Sequence, residues 1–367
     1  MAARKKAADF GLFLSVLGLL GIGLTMILSA SEYSALVRFG DALYFFKRQL
    51  LWALLGVGAM FFTMRLDYWH WKRWAPAMLV IGFLLLVAVF IPGVGRASHG
   101  ATRWIGFGSL TVQPSELVKL CLIVFTAYGL AEKGEAVRSF RQGVLPFLLL
   151  ALAAAGLILA QPDLGTAVTL TGTIFIMLFA AGARLGTLVG LGLAALPALG
   201  AAIYLERYRL QRFLAFINPW QDPQGSGFHI IQSLYALGSG GLFGVGLGQG
   251  KQKYLYLPEQ HTDFIFAVIG EELGFVGACT VLALFGIFIW RGLRIAATAP
   301  DDFGSLLATG LTAGIALQAL INMGVVCGVL PVTGITLPMV SFGGTSLLFT
   351  LAGVGILLNI SRYRRRY

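Results

Sequence analysis

The stretch Leu257-Pro-Glu-Gln-His-Thr-Asp-Phe-Ile-Phe-Ala-Val-Ile-Gly-Glu-Glu-Leu-Gly-Phe-Val-Gly277 passes from a polar segment into a long apolar run, which predicts a membrane-spanning helix. Roughly 20 apolar residues are enough to cross a bilayer as a helix. Asp263 therefore lies where the chain enters the membrane, whereas Glu271 and Glu272 lie inside it, about 12 Å further along the helix. Intramembrane carboxylates are costly unless they pair or face water, so the helix indicates either a functional cavity or a structural ion pair.

The composition of the whole chain supports a membrane location for this stretch. Of 367 residues, 57% are hydrophobic and 12% are charged, with a mean hydropathy of +0.82, which is too apolar for a water-soluble domain of this size. We therefore predict an all-α polytopic membrane protein in which residues 1–367 form a single domain. The net charge of +11 lies mostly in short loops, which favours membrane topology over a nucleic-acid partner. The cysteines lack paired spacing, so the sequence indicates neither disulfide bonds nor a metal site.

Hydropathy predicts about ten transmembrane helices. The candidate spans are 10–30, 48–64, 75–92, 114–131, 143–160, 164–181, 185–204, 264–290, 304–328 and 338–360. A cytoplasmic N-terminus places most short-loop Lys and Arg residues inside, so both termini are predicted to be cytoplasmic. Two large extracytoplasmic segments follow from this topology, about 93–113 and 205–263, and we expect the functional residues there because polar and aromatic residues collect in them.

Asp263 also has a purely structural interpretation. Asp263 or Thr262 can cap the following helix by accepting a backbone N–H bond, as these residue types commonly do, and for Asp263 alone this is the favoured interpretation. Asp163, just after Pro162 at a tight outside turn, is likewise predicted to be an N-cap. The role of Asp263 has to be decided by its wider context.

A second charged cluster lies in Gln113-Pro-Ser-Glu-Leu-Val-Lys119, where the proline opens a helix. Glu116 and Lys119 are spaced to form a local ion pair on one helix face. Lys119 is also a natural partner for Glu271 or Glu272 from another helix, which would join the two clusters beneath a shared outer cavity. Both pairings stay open at this point.

Two further stretches break the regular helical pattern. Gly240-Gly-Leu-Phe-Gly-Val-Gly-Leu-Gly-Gln-Gly250 is a weak phosphate-binding signal without the strict G-x-G-x-x-G spacing, and a flexible turn beside the membrane is the better interpretation. Pro331-Val-Thr-Gly-Ile-Thr-Leu-Pro-Met-Val-Ser-Phe-Gly-Gly-Thr-Ser346 is expected to interrupt the start of the last span. Broken backbone at membrane depth must avoid lipid, so we expect it to line a cavity.

These stretches resemble the SEDS family (shape, elongation, division and sporulation), which groups FtsW, RodA and SpoVE, over essentially the whole chain. The resemblance is carried in order by Gly100-Ala-Thr-Arg-Trp104, Gln113 to Lys119, Pro258-Glu-Gln-His-Thr-Asp-Phe-Ile-Phe-Ala267, Gly270-Glu-Glu-Leu-Gly274, and Leu330-Pro-Val-Thr-Gly334 through Ser341-Phe-Gly-Gly-Thr-Ser346. The division and sporulation branch is most similar, through Tyr256-Leu-Pro-Glu-Gln-His-Thr-Asp263, Ile321-Asn-Met-Gly324 and Gly334-Ile-Thr-Leu-Pro338. Phe342 and Thr345 are mild departures from the family's S-Y-G-G-S-S motif.

The resemblance implies a peptidoglycan glycosyltransferase that polymerises lipid II into β-1,4 glycan strands by one inverting displacement, releasing undecaprenyl pyrophosphate. It implies that Asp263 is the catalytic general base. The residues implied in the substrate site are Arg103, Trp104, Gln113, Ser115, Glu116, Lys119, Lys251, Lys253, Glu259, His261, Glu271, Glu272 and Ser341. Among them Glu116, Glu271 and Glu272 are assigned to cavity structure and charge balance. Positive charge for the departing pyrophosphate is expected from Arg103, Lys119, Arg207, Arg212, Lys251 and Lys253.

The implied partners are lipid II, undecaprenyl-linked glycan, a class B penicillin-binding protein that supplies transpeptidation, and other division membrane proteins at the septum of the inner membrane. The chemistry admits a divalent cation, although no acidic pair commits to one, and no other cofactor is implied. Two alternatives stay open. A lipid II flippase or transporter needs a path through the bilayer, and a non-catalytic divisome scaffold predicts that Asp263 is dispensable.

Overall fold

The protein is built from helices, as its apolar composition dictates, because a helix satisfies its backbone hydrogen bonds internally within lipid. The structure is a computed structural model that describes residues 6–98, 101–107, 110–251 and 258–363. Its α-helices are α1 (Phe10–Phe39), α2 (Tyr44–Arg65), α3 (Trp69–Ala88), α4 (Pro114–Lys133), α5 (Leu145–Ala160), α6 (Leu164–Ala180), α7 (Leu185–Tyr204), α8 (Arg207–Ile217), α9 (Phe228–Ser239), α10 (Ile265–Ala297), α11 (Asp302–Val326) and α12 (Gly344–Ser361).

The predicted polytopic helical fold is confirmed. Among the described residues, nine helices are long and apolar enough to cross a membrane, and α6 is a shorter apolar helix of 17 residues. Together they match the ten predicted spans in order. The boundaries differ most at α1, which continues to Phe39, and at α10, which continues to Ala297.

The core lies around the C-terminal helices. Helix α10 packs between α1 and α11, α2 runs along α12, and α4 joins α3 to α11. Helix α7 stands apart from the bundle, with Leu188 its only residue buried among those described.

The described ends of the chain meet at one end of the bundle. The Asp9 N–H donates to Ser361 Oγ at 2.9 Å, and Arg291, near the end of α10, lies 3.6 Å from the Asp9 carboxylate. We call this the terminal end. Since α10 starts two residues after Asp263 and finishes at the terminal end, Asp263 lies at the opposite end of the bundle, which we call the acid end.

Two elements were absent from the predictions. A three-stranded antiparallel sheet of order β1-β2-β3 forms from β1 (Gly95–Ser98), β2 (Ala101–Phe107) and β3 (Leu110–Val112). The segment predicted as one long loop contains α8, a short 3₁₀ turn at Pro219–Gln221, and α9. The predicted interruption before the last span is present, since residues 327–343 are non-helical between α11 and α12.

Candidate functional site

Asp263 lies in the turn that precedes α10. The expectation that Thr262 or Asp263 caps this helix is wrong, because the N-cap residue is Phe264 and no side chain caps the helix. Thr262 instead donates through Oγ1 to the Glu259 carboxylate at 2.8 Å. Among the described residues, none donates a hydrogen bond to the Asp263 carboxylate, so its oxygens are available to a substrate.

The main chain around Asp263 is held by two buried polar side chains. Asn322 of α11 donates from Nδ2 to the carbonyls of Asp263 and Ile335, at 2.8 and 2.7 Å. Ser341 donates to the Thr262 carbonyl at 2.6 Å. Because both side chains are almost fully buried, they fix the Asp263 turn against the non-helical segment before α12. Ser341, predicted to bind substrate, has its hydroxyl engaged in this support.

The surroundings of Asp263 raise the pKa of its carboxyl to about 7. Burial is the main cause, since desolvation disfavours the charged form. The negative charges of Glu259 and Asp163 raise the pKa further, whereas Arg212 and Arg103 lower it. A carboxylate with a pKa near neutrality can take up a proton during a reaction and release it afterwards.

Arg212 and Asp263 flank Gly334. A methyl group built on Gly334 would lie 3.7 Å from Arg212 Nη1 and 3.7 Å from Asp263 Oδ2, so the two charged groups are separated by at most twice that distance. Gly334 has a φ of 78°, which L side chains rarely adopt. Glycine here keeps the space between the acid and the arginine open.

Arg212 is exposed and lies on a solvent-open cleft of about 410 Å³. The cleft runs between α8 and the turns at 162–164 and 331–333. Within the described chain the Arg212 guanidinium has no hydrogen-bond acceptor, and its closest aromatic contact is the Tyr208 ring, 5.8 Å away. The neighbouring Arg209, in contrast, donates to Tyr208 Oη and to the carbonyls of Ala202 and Leu159. Arg212 is therefore a cation at the acid end that lies near Asp263 and is open to an anion.

Arg103 supports the turn before α6. Its Nε donates to the Gln161 carbonyl at 2.7 Å and its Nη2 donates to the Pro162 carbonyl. Asp163 lies 3.9 Å from Arg103 and caps α6 as predicted, accepting from the Thr166 N–H at 3.0 Å. Two of the Arg103 donors are thus occupied by the chain itself.

The predicted ion pair between Glu116 and Lys119 is confirmed at 2.9 Å. Lys119 also donates to Gln318 Oε1 at 2.8 Å, and all three side chains line a mostly apolar cleft of about 560 Å³ between α4, α6, α11 and α12. The alternative pairing of Lys119 with Glu271 or Glu272 is wrong. Lys119 is engaged by α4 and α11, whereas the two glutamates bind other parts of the chain.

Glu271 and Glu272 bind the glycine-rich turn that follows α9. Glu271 accepts from the Lys251 N–H at 2.8 Å, and Glu272 accepts from the Gly248 N–H at 3.1 Å. Glu272 also accepts from Ser29 Oγ of α1 at 2.6 Å. Both carboxylates are almost fully buried, so their observed role is to hold chain segments together.

His261 packs between aromatic rings at the acid end. Its ring centroid lies 4.4 Å from that of Phe45 and 5.6 Å from that of Phe342. Burial lowers the pKa of His261 to about 4, so the ring is neutral at physiological pH. His261 therefore adds no positive charge for a phosphate.

The remaining predicted residues are spread around this end. Gln113 donates to the Asp163 carboxylate at 3.3 Å, Ser115 is buried, and Trp104 is half-buried in β2. Lys251 and Glu259 are exposed. Lys253 lies outside the described residues. Within the described chain no group of three or more His, Cys, Asp or Glu could hold a metal ion, and the divalent cation stays a prediction.

Three residues of this region were not predicted from the sequence as site residues: Asn322, Gly334 and Gln318. Asn322 and Gln318 are polar residues inside an apolar span, and that pattern by itself marks functional candidates in membrane helices. Gly334 offered no comparable signal, because its importance depends on two side chains that are distant in the sequence.

The fold and the site together define a multi-pass membrane protein with an acid and an arginine at one face of its helical bundle. The chain belongs to the FtsW, RodA and SpoVE family, described as cell cycle proteins, whose model matches residues 10–366. The predicted family resemblance is confirmed.

Individual relatives agree with this assignment. Stage V sporulation protein E of Bacillus subtilis is 51% identical over the full length of both chains. The probable peptidoglycan glycosyltransferase FtsW of Trichlorobacter lovleyi is 48% identical, covering 96% of this chain and 93% of the relative.

Solved structures share the fold. The rod shape determining protein RodA of Thermus thermophilus superposes with a TM-score of 0.73 at 31% identity, covering 98% of this chain and 99% of the other. A chain from the structure called "Structural coordination of polymerization and crosslinking by a peptidoglycan synthase complex" gives a TM-score of 0.80 at 33% identity, covering 97% and 98%.

Proposed function

We infer that this protein is a peptidoglycan glycosyltransferase that polymerises lipid II into β-1,4 glycan strands and releases undecaprenyl pyrophosphate. Relatives named probable peptidoglycan glycosyltransferase, at 48% and 46% identity over 96% of the chain, support the reaction. The observation that carries the inference is Asp263, a carboxylate with a pKa near 7 that faces Arg212 across Gly334 at the acid end.

Asp263 acts as the general base. The acceptor hydroxyl attacks the anomeric carbon of the donor sugar, its proton passes to an Asp263 carboxylate oxygen, and the bond from the sugar to pyrophosphate breaks with its electrons on the leaving oxygen. Because the donor linkage is α and the product linkage is β, one displacement suffices and no sugar becomes attached to the protein. A positioned base of this kind contributes about 10²–10⁴-fold to a rate.

Arg212 stabilises the departing pyrophosphate. A leaving group that gains negative charge needs a cation placed in advance, and Arg212 is the open arginine beside Asp263. Arg103 has two donors committed to main-chain carbonyls, and Lys119 is held by Glu116 and Gln318. Arg207 and Lys251 are exposed and supply further positive charge at this end.

The acid end is the extracytoplasmic face, and both termini are cytoplasmic. The excess of Lys and Arg in the short loops of the terminal end supports this orientation. A class B penicillin-binding protein crosslinks the strands made here, which the likeness to a chain of a peptidoglycan synthase complex supports. We also propose that the protein works with other division proteins at the septum of the inner membrane.

Transport of lipid II is the main alternative, and the terminal end argues against it. Asn359 accepts from the Tyr68 N–H at 2.9 Å and donates to the Met64 carbonyl at 2.8 Å, and Asn359 and Tyr68 are fully buried. Asp301 accepts from Tyr68 Oη and from Trp69 Nε1. This hydrogen-bonded network around the buried Asn359 and Tyr68 closes the terminal end, which supports a site that is open on one face, as suits a catalyst.

Reconstitution with lipid II tests the proposal. The full chain is placed in vesicles with its class B penicillin-binding protein, lipid II is supplied, and both glycan polymer and transbilayer movement of lipid II are measured. Polymer formation that requires the chain is the expected result. Movement without polymer would establish a flippase instead, and neither polymer nor movement would favour the scaffold.

A further inference from the structure

Helix α10 is broken at its tenth residue, Gly274. Gly274 has φ 68° and ψ −167°, which no α-helix contains. In an unbroken helix the N–H groups of Phe275 and Val276 would donate to the carbonyls of Glu271 and Glu272. The break separates these four backbone groups, and inside a membrane each of them needs another partner.

The glycine-rich turn after α9 provides those partners. The N–H of Phe275 donates to the Gly241 carbonyl at 2.9 Å, and the N–H of Val276 donates to the Leu242 carbonyl at 3.1 Å. In return, the carbonyls of Glu271 and Glu272 accept from the N–H groups of Val245 and Gly246, at 3.0 and 3.1 Å. Four bonds to the turn thus replace the two helical bonds that the break removes.

The approach of the two backbones depends on glycine. A methyl group at Gly240 would lie 1.9 Å from the Gly270 carbonyl oxygen, and one at Gly244 would lie 2.1 Å from the Glu272 carbonyl oxygen. Gly244 also has a φ of 81°. The alternating glycines, interpreted from the sequence as a flexible turn, therefore form a tightly docked one.

This turn lies at membrane depth, because its partners belong to the apolar part of α10. Its large side chains Leu242 and Phe243 are 65% and 81% exposed, as is Phe275 beside them at 63%. Exposed apolar side chains around a hydrogen-bonded backbone are what lipid contact requires. Helix α9 and the turn, residues 228–251, therefore form a hairpin within the bilayer, and Lys251 at its end is held beside Glu271.

The side chains of Glu271 and Glu272 hold the returning strand of this hairpin. They accept from the backbone N–H groups of Lys251 and Gly248, and Glu272 links the same point to Ser29 of α1. The docked hairpin thereby braces the short helical segment Ile265–Leu273, which starts two residues after Asp263.

We propose that Glu271 and Glu272 are positioning residues, which dock the 240–251 turn into the break of α10 and so fix Asp263 relative to Arg212. This rests on the proposed function of Asp263 as the base. Neither glutamate touches substrate in this account. Loss of either carboxylate loosens both the turn and the Ile265–Leu273 segment, and the rate falls because the base is no longer held in place.

The test uses the full chain with its class B penicillin-binding protein. Hydrogen–deuterium exchange is measured for peptides covering 240–251 and 264–276, together with kcat and KM for lipid II. Glu272→Ala is expected to raise exchange in both peptides about tenfold and to lower kcat at least tenfold, with KM within about threefold. Glu272→Gln keeps an acceptor oxygen and is expected to recover much of the loss, and Glu135→Ala, an exposed position in the terminal-end turn 134–138, is the control.

A second pair of variants leaves both carboxylates in place. Gly244→Ala forces a methyl group against the Glu272 carbonyl and is expected to reproduce the exchange and kcat effects, whereas Gly238→Ala, with open space around it, is expected to change neither. Unchanged exchange in 264–276, or a raised KM with normal kcat, would overturn the proposal. An active Asp263→Asn variant would instead refute the base, while the exchange data would still decide whether the turn is docked.

Discussion

Asp263 meets two requirements that usually oppose each other. A base needs contact with its substrate, yet a carboxylate open to water keeps its ordinary low pKa and is a weak base. Here the surrounding protein raises the pKa to about 7, and Arg212 limits the rise. Asp263 is half-buried as a residue, and none of the described residues donates to its carboxylate, so its oxygens are free to accept a proton from a sugar hydroxyl.

The rate of polymerisation should therefore depend on pH. Because the base must be ionised, we expect the initial rate to rise with pH through a midpoint near 7 and to level off above it. Arg212 carries a charge that lowers the pKa of Asp263. In an Arg212→Ala variant the midpoint of the rate–pH profile should therefore lie at higher pH. A rate that is constant from pH 6 to 8 would contradict this assignment.

Arg212 should also matter for the leaving group. We expect Arg212→Ala to lower kcat by about 10²–10³-fold, the usual effect of removing one group that stabilises developing negative charge. Arg212→Lys should recover part of this rate, since it keeps the charge but loses the planar fork. Arg207→Ala on the same helix removes one of the further positive charges but not the arginine beside Gly334, so it should cost clearly less, and an equal loss in both variants would point to general surface charge.

At the scale of elements, the site is assembled where broken helices meet. The Asp263 turn precedes α10, the 327–343 segment separates α11 from α12, and Asn322 and Ser341 join the two. Irregular backbone at membrane depth is satisfied by other chain segments, here as at the Gly274 break. The acid and the arginine are thus held by packing between segments that are distant in sequence.

The Glu116–Lys119 pair gives a test at this scale. Lys119→Glu alone should abolish polymerisation, because it places two carboxylates together in a buried cleft. Adding Glu116→Lys restores an ion pair within α4 and should recover part of the rate, limited by the altered contact with Gln318. Adding Glu272→Lys to Lys119→Glu should give no recovery of the rate. If the rate did recover, Lys119 and Glu272 would have to be partners, which contradicts the structure.

Much of this architecture was predictable from hydropathy. The ten spans were predicted in order because a bilayer demands long apolar runs, and Asp263 was assigned through its motif. The sheet β1-β2-β3 was missed because its strands have only 4, 7 and 3 residues. Two features could not be predicted: Arg212 faces Asp263 across Gly334, and the glycine turn docks on α10. Both depend on contacts between segments that are distant in sequence, which no local pattern encodes.

At the scale of the whole molecule, the two ends of the bundle differ in kind. The acid end has clefts, interrupted helices and charged side chains that are exposed to solvent. The terminal end is closed by buried and half-buried hydrogen bonds among α1, α12 and the connections around Asp67 and Asp301. We interpret the acid end as the catalytic face and the terminal end as the part that stabilises the bundle.

The closed end should contribute stability without contributing to the rate. Asn359→Leu leaves the buried Tyr68 N–H without its acceptor, at a cost of about 1–3 kcal/mol, and removes the shorter of two hydrogen bonds to the half-buried Met64 carbonyl. We expect a clearly lower Tm in detergent and an unchanged kcat per folded molecule. Asn218→Leu, at an exposed position, serves as the control, and a loss of kcat at unchanged Tm would show that the terminal end takes part in the reaction.

The most direct test of the account is one substitution, Asp263→Asn, in the purified full chain with its class B penicillin-binding protein. Asparagine keeps the shape of the side chain and loses the proton acceptor. We expect lipid II to bind within about threefold of the wild-type affinity and polymerisation to fall by about 10²–10⁴-fold, whereas Asp222→Asn in the same long loop stays active. Polymerisation at the wild-type rate by a folded Asp263→Asn variant would contradict the central claim that Asp263 is the base.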